Sequence, residues 1–456
     1  MSDVPAPRFV PTLERTTLGL SGDRSARDER PAFYALDNAA TIMPATSGDT
    51  CTSLFRLSVD LDEELDRDRL QAALDATVAR FPYLAVELRR GFFWYYLVPA
   101  TRPVLVEDDA PSPCQGFDPN HRGTCLFRVR ARGARLAGEF SHIVADGKGA
   151  IRFMKTLVAE YCRLGGVPVE AGDPDIYDLA DRPSPAEWED AYDRHYEPSL
   201  PVPVMGRKAF HVDGALLDTG HYRVTTGRLP LAPALAAAKS RGATLTEFFT
   251  AVYLDSLQEL WLEAPAAARR HTQLAAEIPV DMRRHYPTAS NRNFTLFIIV
   301  GQDMRLGPRD FPAILERVKL QSRLENDARE LARQISRNVN GTRHPLINLI
   351  PLRAKDFAAR ILAAALGEDY VSGVVMNLGP VDFPEGPAGR IRRFDLAQAP
   401  STKTKANLAI HSHAGELYVT VSSLAREPEL EDCVFRRLAA LGLPARLDSY
   451  GGAPAD

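Results

Sequence analysis

Several classes of protein are excluded by what this chain lacks. Its five cysteines are scattered and never spaced as Cys-x-x-Cys, so no disulfide framework is indicated and reduced thiols are expected. Basic residues are not in excess, because 55 Lys and Arg stand against 59 Asp and Glu, for a net charge of −4. Nucleic acid is therefore not an expected partner, since no surplus of positive charge is available to neutralise phosphates.

Long apolar runs are also missing. The longest, such as residues 296–300 and 361–366, fall far short of the roughly 20 residues that a membrane-spanning helix needs. The first 30 residues have mixed charges and lack the apolar core of a signal peptide. We therefore expect a soluble, cytoplasmic protein without integral membrane contact. No Walker-type loop, dinucleotide fingerprint or nucleophile-elbow motif supports nucleotide-dependent or α/β-hydrolase chemistry.

The length and periodicity indicate two α+β halves. A chain of 456 residues is too long for one compact core, and no repeat of 20–50 residues recurs to suggest a solenoid or propeller. Residues 166–215 are acidic and proline-rich, and we interpret them as a solvated connection, with an acidic docking surface as the alternative. The predicted division is a 1–30 arm, a 31–165 N-terminal subdomain, the 166–215 connection, a 216–445 C-terminal subdomain and a 446–456 tail.

Alternation and helical periodicity predict the main elements of both halves. The strands are expected at 52–61, 92–98, 126–132, 134–142, 220–229, 272–283, 293–301 and 370–379, with a hairpin over 405–423. The helices are expected at 66–81, from about 148 to 165, and at 248–262, 311–338, 357–366 and 433–441.

The segment SHIVADG (141–147) has the composition of a catalytic turn. A strand would deliver His142 to its end, Asp146 would follow across a short turn, and Gly147 would open a helix. An imidazole can remove a proton near neutral pH, and a backbone N–H at a helix N-terminus suits developing negative charge. The spacing alone leaves a second interpretation open, in which His142 is a satisfied structural histidine and Asp146 only caps the helix.

This segment resembles the His-x-x-x-Asp-Gly signature of the chloramphenicol-acetyltransferase-like superfamily, which includes condensation domains and alcohol and polyketide-associated acyltransferases. The similarity extends over roughly residues 33–440. Four further segments are similar to bacterial alcohol acetyltransferase-type members: YALDNAATIMPA (34–45), RFPYLAVELRRGFFWYYLVP (80–99), EIPVDMRRHYPTASNRNF (277–294) and MNLGPVDFP (376–384). The resemblance implies two subdomains, each a mixed sheet flanked by helices, with a tunnel between them.

The resemblance also implies roles for individual residues. His142 is expected to be the general base that deprotonates the acceptor as it attacks an acyl thioester. Asp146 is expected to hold the loop through an ion pair rather than to touch substrate. Its implied partner is Arg283, although the neighbouring Arg284 is an alternative that the sequence leaves open.

Three further positions match the pattern of the superfamily. Gly147 would present its N–H to the oxyanion, and Asn377 would orient the substrate or the oxyanion. Ser141 replaces the first of two adjacent histidines found in many members, and it is expected to support the site without being a nucleophile, since adjacent strand residues point to opposite faces. The plant-type Asp-Phe-Gly-Trp-Gly motif is absent, which argues against that branch.

Together these features predict an O-acyltransferase of secondary metabolism that forms an ester from an acyl-CoA or acyl-carrier thioester. The alternatives are an amide-forming condensation-type enzyme and a non-catalytic lipid-binding module. We expect a small-molecule alcohol or amine acceptor, a monomer, no metal and no permanently bound cofactor. His411 and His413 share a strand face and could ligate a metal, but a structural or tunnel-lining role is favoured.

Overall fold

Two large β-sheets covered by helices make up most of the protein in this computed structural model. The structure describes residues 31–48, 52–110, 112–198, 200–201, 206–366 and 368–451, so the predicted arm and Cys51 lie outside it. The strands are β1 Tyr34–Ala35, β2 Leu54–Leu61, β3 Val86–Arg90, β4 Tyr95–Pro99, β5 Val106–Asp108, β6 Phe127–Arg132, β7 Arg135–Ser141, β8 Arg223–Pro230, β9 Gln273–Asp281, β10 Thr295–Asp303, β11 Gly373–Pro380, β12 Ile391–Gln398, β13 Ala406–His413, β14 Glu416–Ser423 and β15 Arg446–Gly451.

The helices lie on these sheets and between them. They are α1 Met43–Thr46, α2 Arg67–Arg80, α3 Gly147–Leu164, α4 Ala191–Arg194, α5 Leu231–Lys239, α6 Leu245–Glu263, α7 Phe311–Glu325, α8 Ala328–Arg343, α9 Pro345–Asn348, α10 Leu352–Leu366 and α11 Glu429–Ala440. None of the helices in the described part of the chain is both long and apolar enough to cross a bilayer. Mixed sheets flanked by helices confirm the predicted α+β class.

The first large sheet has the order β12-β2-β7-β6-β5. Its centre is the antiparallel pair β2 and β7, in which Leu54 stands opposite Ser141 at the end of the pair. Helix α3 packs against this sheet because Ile151, Met154 and Leu157 repeat at helical spacing and are buried. The pairing therefore fixes the point at which the chain leaves β7 and enters the motif turn.

The second large sheet has the order β10-β9-β11-β13-β14-β8-β15. Helices α6 and α7 cover one of its faces, and a buried apolar cluster fills the space between. Helix α6 begins at a capping box, in which Thr244 and Glu247 satisfy each other's backbone N–H groups.

Two of the predicted divisions do not match the sheets. Strand β12 lies within the predicted C-terminal subdomain, yet it pairs with β2 in the first sheet. Strand β15 lies in the predicted 446–456 tail and pairs with β8. Neither pairing could be read from periodicity, because strand partners this far apart in sequence leave no local signal.

Two predicted elements differ for local reasons. The expected strand at 92–98 starts only at Tyr95, because the N–H of Gly91 donates to the Trp94 carbonyl oxygen in a tight turn that leaves Phe92 exposed. That strand belongs to a small sheet of order β1-β4-β3 and not to a central one. The expected helix over 311–338 is two helices, since Asp327 caps the N-terminus of α8 directly after α7 ends.

The acidic connection is less solvated than predicted. Glu187 is buried, and its two carboxylate oxygens accept hydrogen bonds from the Arg80 guanidinium at 2.8 and 3.0 Å. The Tyr83 hydroxyl donates to the same carboxylate at 2.7 Å. The Glu187 carbonyl oxygen accepts the N–H of Asn291 at 2.7 Å, so the connection contacts both halves of the chain. Most of its other acidic side chains are exposed or half-buried.

Replacing Glu187 tests the structural role of this connection. Glu187→Ala would leave the Arg80 guanidinium buried without its partner, so we expect a loss of about 3 kcal/mol in the free energy of unfolding. Urea unfolding followed by circular dichroism measures the difference. The exposed Asp181→Ala is the control and should change stability by less than about 0.5 kcal/mol. Equal effects of the two substitutions would contradict this role.

Candidate active site

His142 follows the last residue of β7 and is held by its backbone. Its N–H donates to the Ser53 carbonyl oxygen at 3.0 Å, and its carbonyl oxygen accepts a hydrogen bond from Asn293 Nδ2 at 2.7 Å. The imidazole ring lies 4.6 Å from the ring of Phe55, measured between centroids. These contacts fix the position of the imidazole from both halves of the chain.

Burial lowers the pKa of His142 below its ordinary value, because the surroundings disfavour the imidazolium. The negative charge of Asp146, and hydrogen bonds of the ring with the Asn293 side chain and the Ala145 backbone, oppose this effect and raise the pKa, but they do not overcome it. His142 is therefore neutral at pH 7, which leaves a ring nitrogen able to accept a proton.

The carboxylate of Asp146 is buried and fully engaged. One oxygen accepts from the N–H of Gly149 at 3.1 Å, which caps helix α3. The other accepts from the N–H of Phe294 at 2.9 Å and from the hydroxyl of Thr295 at 3.2 Å. Both oxygens also accept hydrogen bonds from Arg283. Burial alone would raise the pKa of Asp146, but the ion pair with Arg283 outweighs that effect, so the pKa is lowered.

Arg283 is the cation that the structure brings to Asp146. Its Nη1 lies 2.8 Å from the Asp146 carboxylate and 3.0 Å from Asp281. Its remaining hydrogen-bond donors reach the carbonyl oxygens of Ser290 at 3.1 Å and Arg292 at 2.6 Å. The neighbouring Arg284 is exposed, and Arg283 is the one of the two arginines that contacts Asp146.

Gly147 is the first residue of α3, and Leu378 approaches it. A Cβ placed on Gly147 would lie 3.4 Å from Leu378 Cδ1, an ordinary contact. Asn377 stands next to Leu378 on β11, where its Nδ2 donates to Thr246 Oγ1 at 2.9 Å and its Oδ1 accepts the N–H of Gly379 at 2.8 Å. The end of β11 therefore lies beside the N-terminus of α3, although the amide of Asn377 is occupied by these two partners.

Ser141 is buried, and its hydroxyl accepts the N–H of Ile143 at 3.2 Å. Ser141 and Ile143 also line a cavity of about 300 Å³, together with Thr52 and Leu54. The cavity reaches the residues on both sides of His142, so space for a small ligand exists next to the motif turn.

Three contributors to this site are not among the residues predicted from the sequence. Asn293 links the two halves, because its Nδ2 donates to the His142 carbonyl oxygen and to Asp37 Oδ2 at 2.9 Å. Burial raises the pKa of Asp37 to about 6, against the opposing charge of Arg292. Gly149 packs so closely that any side chain would overlap the Asn291 carbonyl oxygen. The signal available was that Asp37 and Asn293 lie inside the segments 34–45 and 277–294, and that Gly149 lies two residues after the segment 141–147.

His411 and His413 are buried and bonded to backbone. His411 Nε2 lies 2.8 Å from the Phe394 carbonyl oxygen and its ring stacks on Tyr418, while His413 Nδ1 lies 2.8 Å from the Val381 carbonyl oxygen. Across the ranges that the structure describes, no cluster of three or more His, Cys, Asp or Glu is arranged to hold a metal.

The two glycines of the motif helix give a matched pair of substitutions. Gly149→Ala should lower the free energy of unfolding by about 2 kcal/mol, because the new methyl group overlaps backbone of the 277–294 segment. Gly147→Ala should cost less than about 1 kcal/mol, since its methyl group makes only an ordinary contact. Urea unfolding of both variants measures the difference, and equal losses would show that α3 does not pack as described.

Comparisons with known proteins show the fold. No family model matches the chain, and no curated protein matches it in sequence. Trichothecene 15-O-acetyltransferase from Fusarium sporotrichioides is similar in structure, with a TM-score of 0.57 at 12% identity over 90% of this chain and 95% of that one. The starter condensation domain of rhizomide synthetase, in complex with C8-CoA and Leu-SNAC, has a TM-score of 0.56 at 15% identity over 90% and 94%. Polyketide synthase associated protein 5 from Mycobacterium tuberculosis has a TM-score of 0.53 at 16% identity over 85% and 93%. The chain therefore shares its fold with the starter condensation domain and the trichothecene acetyltransferase.

Proposed function

We propose that the protein is an acyltransferase that moves an acyl group from a CoA or carrier-protein thioester to a hydroxyl group. The observation that carries this proposal is the imidazole of His142 at a strand end, where burial lowers its pKa, next to a loop held by the ion pair of Asp146 and Arg283. The fold adds support, because the similar proteins include an O-acetyltransferase and a condensation domain in complex with C8-CoA.

His142 would act as the general base. A ring nitrogen takes the proton of the acceptor hydroxyl while the acceptor oxygen attacks the thioester carbonyl carbon. The new C–O bond forms, the C–S bond breaks, and the leaving thiolate recovers the proton from the imidazolium. Both reactants meet at one base, so no covalent acyl-enzyme is needed.

Asp146 and Arg283 would position this base without exchanging protons with it. Every contact of the Asp146 carboxylate described above goes to Arg283, to a backbone N–H or to the Thr295 hydroxyl. Asp146 comes from the proposed 31–165 subdomain, whereas Arg283 and Thr295 come from the proposed 216–445 subdomain. We infer that the acyl-transfer site needs both subdomains. Gly147 and Asn377 are proposed to face the oxyanion and the substrate.

The role of the base is tested by removing it. His142→Ala should lower acyl transfer at least a hundredfold, since general-base catalysis contributes about 10²–10⁴ in rate. Release of free thiol from a panel of acyl-CoA and acyl-carrier thioesters, with mixed alcohols and amines as acceptors, measures the rate. The exposed His121→Ala is the control and should keep full activity. Wild-type transfer by His142→Ala would refute the mechanism.

The pH profile tests the protonation state. Below its pKa His142 is protonated and cannot accept a proton, so kcat/KM should rise with pH and level off near neutrality. Because burial lowers the pKa, the midpoint should lie below 6.5, the ordinary value of histidine. Asp146→Asn removes a charge that raises this pKa, so in folded variant protein the midpoint should move to lower pH still. A wild-type midpoint above 6.5 would contradict the described environment.

A further inference from the structure

One face of the protein carries an exposed apolar surface, which we call the 345–361 face after the segment that supplies most of it. It is formed by Phe33, by the turn between β3 and β4, and by helices α9 and α10. Large apolar side chains here are strongly exposed, including Phe92 at 72%, Leu349 at 71% and Phe357 at 68%. Single exposed apolar residues are common, but a contiguous group of them marks an interaction site.

Contacts between Phe33, the turn between β3 and β4, and α10 show that these segments are contiguous. The ring of Phe33 lies 6.2 Å from the ring of Tyr96 in an edge-on arrangement. The N–H of Leu352 donates to the Phe92 carbonyl oxygen at 2.9 Å, which joins the start of α10 to the turn. Lys355 Nζ donates to the Phe93 carbonyl oxygen at 2.9 Å and lies over the Trp94 ring. The turn and α10 therefore form one surface.

A cavity of about 600 Å³ opens within this face. Phe33, Trp94 and Tyr96 line it on one side, and Thr342 and Asn348 line it on another. Its polar side chains are Asn38, Thr41, Asp190, Thr342 and Asn348, but most of its lining surface is apolar. A cavity of this size and composition accommodates an alkyl chain.

In the segments that form the face the exposed charged side chains are all positive, while the carboxylates of Asp190 and Asp193, in the connection, adjoin it. Within residues 31–46, 89–96 and 343–361, the exposed charged side chains are Arg90, Arg343, Arg353 and Arg360. Arg89 and Lys355 are half-buried, and the only carboxylates of these segments, Asp37 and Asp356, are buried. Among the cations, Arg343 is paired with Asp193 of the connection. A chain with a net charge of −4 thus has several basic groups on this apolar face.

We propose that the 345–361 face docks on the surface of an anionic lipid bilayer. Phenylalanine and leucine side chains of the face would enter the headgroup region, while the surrounding arginine and lysine side chains contact lipid phosphates. An acidic protein partner would also complement the positive charge of the face, but its binding does not require so many strongly exposed apolar side chains. The proposal concerns peripheral contact and does not depend on the acyl-transfer reaction.

Vesicle flotation of the full-length protein tests this proposal. Wild-type protein should float with vesicles of phosphatidylcholine mixed with phosphatidylglycerol, and much less with phosphatidylcholine alone. The double variant Leu349→Ser/Phe357→Ser should bind the anionic vesicles at least about tenfold more weakly, because it lacks two apolar side chains that would enter the bilayer. Arg353→Glu should weaken binding at least about fivefold, since each basic group near the surface contributes ~1 kcal/mol.

The control variant is Leu320→Ser/Leu324→Ser, which changes two leucines of similar exposure on α7, outside the 345–361 face. It should bind as wild type does, and all four proteins should have the same melting temperature. The proposal is overturned if wild type does not float with anionic vesicles, or if the control loses binding as the double variant does. It is also overturned if the wild-type protein is a dimer that the double variant converts to a monomer, since the face would then hold a second copy. Binding of an acidic carrier protein to the face, without any binding to vesicles, would overturn it as well.

Discussion

The arrangement of the candidate site depends on one buried ion pair, between Asp146 and Arg283. Taking two charges out of water costs several kcal/mol, and their attraction offsets that cost only when their other hydrogen-bonding groups are also satisfied. Here the arginine reaches two carboxylates and two backbone carbonyl oxygens, and the aspartate also accepts from Gly149, Phe294 and Thr295. The pair therefore sets the relative positions of the motif turn, helix α3 and the segment before β10.

This saturation separates the site from a Ser-His-Asp triad, in which the aspartate accepts a hydrogen bond from the histidine and orients it. The hydroxyl of the adjacent Ser141 is engaged with a backbone N–H. His142 is instead positioned through its backbone, by Ser53 and Asn293, and through hydrogen bonds of its ring with Asn293 and the Ala145 backbone. Asp146 acts on it through its charge, which partly opposes the effect of burial on the pKa of His142.

The part of the site that was predictable is the part that is local in sequence. The strand, turn and helix around residues 141–147 follow from alternation, a glycine and helical periodicity, and the resemblance supplied Arg283 as a partner. Its neighbour Arg284 could not be eliminated, because adjacent residues of a short 3-10 turn differ only in the direction of their side chains. Asn293 could not be predicted, since its contacts with His142 and Asp37 span 151 and 256 positions.

The fold was likewise predictable from the sequence only where its features are local. Periodicity located most helices and strands of both halves, and it failed where a turn or a cap interrupts a continuous apolar pattern, as after Gly91 and at Asp327. It gave no information on which sheet a strand joins. Strand order depends on contacts between distant segments, and β12 is the clearest case.

The placement of β12 has a consequence for synthesis of the chain. Until residues 391–398 have left the ribosome, β2 is an edge strand of the first sheet, with unpaired backbone groups that can template aggregation. The N-terminal half is translated long before its last strand, so it cannot complete its own hydrogen bonding as an independent co-translational unit. Pairing of strands so far apart in sequence is also slow, because the entropy cost of closing the intervening loop comes before the strands gain any favourable contacts. We therefore expect the nascent chain to depend on protection of β2, by a chaperone or by temporary non-native pairing, until residues 391–398 have emerged.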